Sequence, residues 1–310
     1  MRRRSWDWVF VVATVVLWAS AFPAIRVALE SLHPVSLSLL RVGVAAAALG
    51  VGAIGGRVRW PDRQDYGQIL LCAATGMAAY QLLLNEGERT VTAGTASLLI
   101  ATAPIYSVVI AGRMLGERIS PRRWAGLAVA LAGAAVVALS AEDGFSLSVG
   151  ALLVLAAAVV QGVYHVAQRP LLDRYSGYEV ATYSMVAGTV MLLPATPAVV
   201  ADMGDATAAS LWAVLFLGIG PSAIGFVTWA VAVGRLEVSR PAIALYAIPA
   251  VAILVAWWWL GELPTALAVG GGALSLVGVA LGTSEIDRPT EHGAEAVPAP
   301  VTARGNAPEA

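Results

Sequence analysis

The sequence predicts an all-α integral membrane protein, with ten transmembrane helices arranged as two inverted five-helix repeats. Three observations predict it. The 310-residue chain is 58% hydrophobic and only 13% charged, with mean hydropathy +0.76. That much apolar surface has no place in a water-soluble core of this size. The apolar residues fall in long continuous runs, not in the alternating pattern of a membrane barrel. Finally, one stretch is written twice. Pro104, Gly116-Glu117, Gly126 and Gly133 return 145 residues later as Pro249, Gly261-Glu262, Gly271 and Gly278. Ala111, Leu115, Ala128 and Leu131 repeat at the same shift as Ala256, Leu260, Ala273 and Leu276. A gap-free repeat of this kind divides the chain into halves, 1–140 and 148–284.

The elements follow in order. Arg2, Arg3 and Arg4 precede an apolar run that continues to Leu29. Ala19-Ser20-Ala21 resembles a signal-peptide cleavage site, but Trp18 and Phe22 are bulky where such a site is small. A first spanning helix over 8–29 is expected. Further helices are expected at 34–54, 66–86, 91–114, 121–140, 148–169, 178–200, 209–234, 238–260 and 265–284. Each is close to the ~20 residues that cross the hydrocarbon layer at 1.5 Å per residue. The tail, 285–310, is rich in Pro, Ala and Glu and is expected to be disordered and cytoplasmic. Cys72 is the single cysteine, so no internal disulfide forms.

All 19 basic side chains are arginine. With the N-terminus inside, Arg57, Arg59, Arg63, Arg113, Arg118, Arg122, Arg123, Arg169, Arg174, Arg235 and Arg240 all lie on the cytoplasmic side. Glu30, Glu86, Glu88, Glu142, Asp143, Asp202, Asp205 and Glu262 lie outside with Arg89. The arginine excess sets the orientation. Both termini are then cytoplasmic, in a cell inner membrane, and five helices per half make the halves upside down relative to each other. Inverted halves of this kind are a plan of secondary transporters.

Polar groups at membrane depth are the candidates for function, because each is costly there. Arg41 is expected about 10 Å deep in the second helix, at 1.5 Å per residue. Its structural alternative is snorkelling to helix-end carbonyls. Arg26 reads as an interfacial anchor. Gln161, Tyr164, His165 and Gln168 share a helix face by their spacing. They face a cavity or make interhelical hydrogen bonds. Tyr80, Gln81, Asn85 and Glu86 form a polar end on the third helix, above Thr75-Gly76. The matching part of the eighth helix holds Gly218, Gly220-Pro221-Ser222 and Gly225, and paired Gly/Pro interruptions point to a transport site. Pro104 and Pro249 are expected to bend helices four and nine, beside Tyr106 and Tyr246. Trp18, Ser20 and Trp229 complete the candidate substrate-binding set. Both Gly-Glu pairs read as helix-ending structure, and Trp257-Trp258-Trp259 as an interfacial belt. Gly278-x-x-x-Gly282 fits packing within the chain or a dimer face. His165 or Glu86 is expected to take part in any proton exchange. No Walker loop, HExxH or GxSxG is present. The sequence therefore predicts no enzyme, metal, cofactor or nucleic-acid partner. Its partners are a small-molecule substrate and the lipid bilayer, and it is a monomer or a weak homodimer.

Over 8–284 the chain resembles the drug/metabolite transporter superfamily, in particular its EamA-type ten-helix members. The resemblance rests on Trp18-Ala-Ser-Ala-Phe22-Pro23, on Pro34 with Arg41, and on the repeated Pro104–Gly133 stretch. It implies a carrier that exports small metabolites, often amino acids or related compounds, by alternating access through a central cavity. Helices 1, 3, 4, 6, 8 and 9 would line the path. Small multidrug members of that superfamily use a membrane-embedded Glu in the first helix. Here helix 1 has no such acid, and Ser20 is its most central polar group. A non-transporting receptor or scaffold is the alternative, distinguished by halves that pack without a polar central cavity.

Overall fold

The computed structural model describes residues 3–54, 58–115, 120–141, 144–145, 148–235 and 245–283. Apart from a two-residue antiparallel pairing of Ser140–Ala141 with Gly144–Phe145, the regular structure described is helical. We number the helices α1 (Arg3–Ala28), α2 (Pro34–Gly52), α3 (Arg63–Gly87) and α4, in two pieces, Ala93–Ile100 and Ala103–Leu115. Then come α5 (Pro121–Leu139), α6 (Val149–Ala167), α7 (Gly177–Asp202), α8 (Ala208–Ala232), α9 (Ile248–Leu260) and α10 (Ala266–Thr283). Among the described residues, seven helices are long and apolar enough to cross a membrane, and three shorter apolar ones cover Trp124–Leu139, Ile248–Leu260 and Ala266–Gly282. The repeated Gly116-Glu117, the 238–244 part of the expected ninth helix and the tail lie outside the described residues.

Local chemistry sets the helix starts. Thr92, Ser148 and Thr207 cap α4, α6 and α8 by accepting a backbone N–H three residues on. Ser176 and Glu179 form a reciprocal capping box on α7. Outward faces remain apolar: Val12, Val16, Val190 and Leu254 are exposed, as are all three of Trp257, Trp258 and Trp259. Such faces need lipid, and the protein is a multi-pass membrane protein.

The repeated glycines pack α5 along α10. A Cβ on Gly126 would strike the backbone of Gly278 and Gly282, and one on Gly133 that of Gly271 and Ser275. Conversely, Gly278 abuts Gly126 and Ala130, and Gly271 abuts Gly133 and Val136. The two helices therefore run antiparallel. Gly271 and Gly278 are the copies of Gly126 and Gly133, so the contact is reciprocal, as across a two-fold axis. Gly278-x-x-x-Gly282 is thus occupied within the chain.

Two irregularities recur at the same shift. α3 is π-helical over Ala73–Ala79, and α8 is π-helical over Gly218–Ile224, 145 residues later. Helical pairing also stops at Ala101–Thr102 and again at Tyr246–Ala247. Pro104 and Pro249 then sit in the first turn of the helical piece that follows. They mark breaks in the helical pairing. A first-turn proline has no N–H to waste, and its fixed φ suits the start of a helix. Pro221 lies inside the π-helical stretch.

Ion pairs join the two halves at each end of the bundle. At one end Arg26 Nε meets Glu262 Oε1 at 3.2 Å, and His33 Nδ1 meets Asp202 Oδ1 at 2.6 Å. Glu262 follows Gly261, whose φ of +70° is the left-handed turn expected there, and it also accepts the Ala93 backbone N–H. At the other end Arg59 Nε donates to Glu179 at 2.9 Å, Arg174 pairs with Asp65, and Tyr175 donates to Asp65 at 2.7 Å. The Glu179 carboxylate raises the proton affinity of the Arg59 guanidinium.

Candidate functional site

A cavity lies where the two halves face each other. α1 supplies Trp18, Ala21 and Phe22, α2 Arg41, and α3 Tyr80 and Leu84. α4 brings Ser97, Ile100, Ala101, Ala103 and Pro104 around its break. α6 contributes Gln161 and His165, α8 Phe226, and the segment at the start of α9 Leu245, Tyr246 and Ile248. Both helix breaks therefore open onto the same space. It offers about 60 Å³ to the centre of a water-sized sphere. One water needs roughly 10–15 Å³ by that measure, so a small polar molecule with a short side chain is within its range.

Three local devices shape the walls. The first is the Gly-Pro-Ser sequence of α8. In its π-helical stretch the usual hydrogen-bond ladder is broken, and freed polar groups turn toward α1 and α2. Trp18 Nε1 donates to the Pro221 carbonyl at 3.1 Å, and Arg41 Nε donates to Ser222 Oγ at 2.8 Å. The second is an aromatic wall. Trp18 packs on Phe226 and Trp229 with ring centroids 5.3 and 5.6 Å apart, and His165 packs on Trp229 at 5.9 Å. The third is the i, i+4 pair on α6, where Gln161 Nε2 and His165 Nε2 lie 3.3 Å apart.

Arg41 is the only cation among the lining residues, and it is 3% exposed. Its Nη1 has no hydrogen-bond partner among the described residues, nor has Gln161 Oε1. An unpaired guanidinium nitrogen in a buried site is costly unless an acceptor arrives. Chemically the site pairs one anion-seeking fork with one free amide oxygen, beside an aromatic wall.

Of the residues selected from sequence, Trp18, Arg41, Tyr80, Gln161, His165 and Tyr246 line this cavity. Trp229 and Tyr164 stand behind the wall: Trp229 touches Trp18 and His165, and Tyr164 packs on Phe226. Asn85 donates to Ser38 Oγ at 2.9 Å, and Tyr106 packs beside Gly162. The Ser20 hydroxyl turns back to the Val16 and Leu17 carbonyls. Glu86 is half-exposed and pairs with Arg89 at 3.0 Å, away from the cavity. Phe22, Phe226 and Ser97 were missed. Phe22 is the nearest to legible, since it stands one turn beyond Trp18 on α1.

Comparison with known proteins agrees with this architecture. The model of the "EamA-like transporter family" matches the chain twice, at residues 5–139 and 148–283. A protein of Streptantibioticus cattleyicolor described as "Probable terminal-alkyne amino-acid exporter" is 54% identical over 271 residues, covering 87% of this chain and 91% of that one. The "Aromatic amino acid exporter YddG" of Ancylobacter novellus is 30% identical over 224 residues, covering 69% and 73%. A solved crystal structure superposes with a TM-score of 0.61 at 21% identity, covering 90% of this chain and 97% of that one.

Proposed function

The chain belongs to the EamA-like transporter family, and from that premise we propose that it exports small amino acids or close relatives of them by alternating access. The substrate enters the cavity between the halves. Arg41 holds its carboxylate through the open Nη1. Gln161 Oε1 accepts from its ammonium group, and the aromatic wall of Trp18, Phe22 and Phe226 receives a compact side chain. The single observation that carries this reading is the buried, unpartnered Nη1 of Arg41, a residue that lines the cavity. Exporters of amino acids among its relatives support the substrate class. A terminal-alkyne side chain, linear and polarisable, suits an aromatic wall and a narrow space. A cavity between the halves that holds Arg41, Gln161 and His165 also argues against the scaffold alternative, which has no use for one. No covalent chemistry is proposed for the site.

The proposed arrangement is two inverted five-helix halves spanning ten times, with both termini in the cytoplasm of a cell inner membrane. Support comes from the arginine distribution, the antiparallel glycine contact of α5 with α10, and the irregularities repeated at a shift of 145. Cells expressing the protein should lose preloaded L-propargylglycine faster than control cells. Arg41→Gln removes the charge-assisted bond, worth about 1.5–3 kcal/mol, and should slow that efflux at limiting substrate by roughly ten- to a hundredfold. Equal efflux from both strains, or from wild type and an equally abundant Arg41→Gln, overturns the reading. His165 is the group proposed to exchange a proton in the transport step that follows binding. A His165→Ala protein with an unaltered pH profile of efflux removes that role.

A further inference from the structure

Beyond the cavity wall lies a group that its role in substrate binding does not explain. Glu88 begins the turn between α3 and α4, and it is fully buried. Neither carboxyl oxygen has a hydrogen-bond partner among the described residues. Its backbone N–H is bound to Leu84, and Tyr80, Leu84 and Glu88 follow one another at four-residue spacing. They therefore share one face of α3. Tyr80 and Leu84 line the cavity, so Glu88 sits one turn past its edge, toward the Glu262 end of the bundle.

The charges around Glu88 come from several elements. Arg26 of α1 donates through Nη1 to the Glu88 carbonyl at 2.7 Å, and its Nε pairs with Glu262. Arg41 of α2 acts on Glu88 through space, and so do Arg26 and Glu262. Tyr80 stands on its own helix. The packed ends of α4 (Ala93–Ile100) and α6 (Val149–Ala158) carry no titratable side chain. Glu86, two residues away, faces outward to Arg89. Among the described residues, a carboxylate here meets no hydrogen-bond donor and is held by two guanidinium groups at a distance, one of them already paired. Burial accordingly pushes the Glu88 carboxyl well above the usual carboxylate range, against the pull of Arg26 and Arg41.

We propose that Glu88 is a proton-binding site linked to the substrate site through Arg41, taking up a proton from solvent when a substrate carboxylate engages Arg41. The inference rests on Arg41 as carboxylate anchor. Its sign follows from electrostatics. With Glu88 charged, part of the Arg41 field is already neutralised, and a substrate carboxylate meets a second negative charge nearby. With Glu88 protonated, Arg41 is free for the substrate. The two ligands therefore help each other, and linkage makes the help reciprocal. Glu88 is thus a cooperative proton site, opposite in sign to an antiporter carboxylate for which proton and substrate compete.

The test is calorimetric binding of L-propargylglycine to the purified full chain, run at pH 6 and pH 8 in buffers of different ionisation enthalpy. Wild type is expected to bind about fivefold or more tightly at pH 6, the lower end of ordinary two-site coupling, with net proton uptake. Glu88→Gln, a permanent mimic of the protonated side chain, should bind at the wild-type pH 6 affinity at both pH values, with no uptake. Glu86→Gln, an outward-facing neighbour outside the cavity, should retain the uptake. Wild type binding without proton uptake overturns the proposal, and needs no variant to fold. So does uptake that survives in Glu88→Gln or disappears in Glu86→Gln. Failure of the underlying substrate reading looks different: wild type binds no probe, or Arg41→Gln binds it as wild type does.

Discussion

Arg41 is held at one nitrogen and open at another, and that asymmetry underlies its proposed role as a reader of anions. Its Nε is fixed by Ser222 Oγ at 2.8 Å, so the fork is oriented before any substrate arrives. Ser222 is thereby proposed as a positioning residue. Ser222→Ala removes a hydrogen bond worth about 0.5–1.5 kcal/mol. It should raise the half-saturation concentration for export roughly 2- to 12-fold, with the maximal rate little changed. A fall in maximal rate at constant half-saturation would assign Ser222 to the conformational step instead. Arg41→Lys should restore little, because an ammonium lacks the fork that reaches Ser222 and a carboxylate together. Residue-level legibility was uneven. Arg41 announced itself as a lone cation in an apolar run. Glu88 did not, because it stood with Glu86 among the acids of one loop. Two residues apart on a helix means roughly 200° around it, so one acid faces solvent and the other the protein interior. Which faces which depends on the phase of α3, and the π-helical stretch at Ala73–Ala79 resets that phase.

The elements show what the repeated stretch is for. Its glycines are the contact surface of α5 with α10, and its prolines open the helical pieces that follow the two breaks at the cavity. Gly278→Leu would drive a side chain into the backbone of Ala130 and Gly126. Overpacking of this kind costs about 1–3 kcal/mol. A clearly lowered unfolding temperature in detergent is therefore expected. Gly50→Leu, at an α2 glycine with open space around it, should leave that temperature within error. Equal effects of the two would contradict the reciprocal contact. Helix existence was legible for the seven helices long and apolar enough to span, because length and apolarity decide what can cross lipid. The breaks were less so. A proline in an apolar run fits a bend or a first turn equally well in sequence, and the choice falls to packing against neighbouring helices. The gap of 145 carried the rest, for it relates two stretches whose Gly and Pro residues were visible in the sequence but whose π-helical winding was not.

At the scale of the whole molecule, the halves are joined by ion pairs at both ends and separated by a cavity between them. The Arg59–Glu179 and Arg26–Glu262 pairs each link one half to the other, and alternating access requires each set to loosen in turn. The proposed orientation puts the Arg59 end in the cytoplasm. Asp205→Cys should then react with an impermeant thiol reagent on intact cells, and Asp62→Cys only after permeabilisation. Cys72 is buried and should stay silent in both. The reverse pattern would turn the molecule over. The central claim, that Arg41 in this cavity carries an amino acid across the membrane, is tested most directly by counterflow in proteoliposomes. Vesicles loaded with unlabelled L-propargylglycine and holding wild type should accumulate the labelled compound transiently, while vesicles holding folded Arg41→Gln should accumulate at least tenfold less. No accumulation with wild type, or the same accumulation with both proteins, would contradict the account.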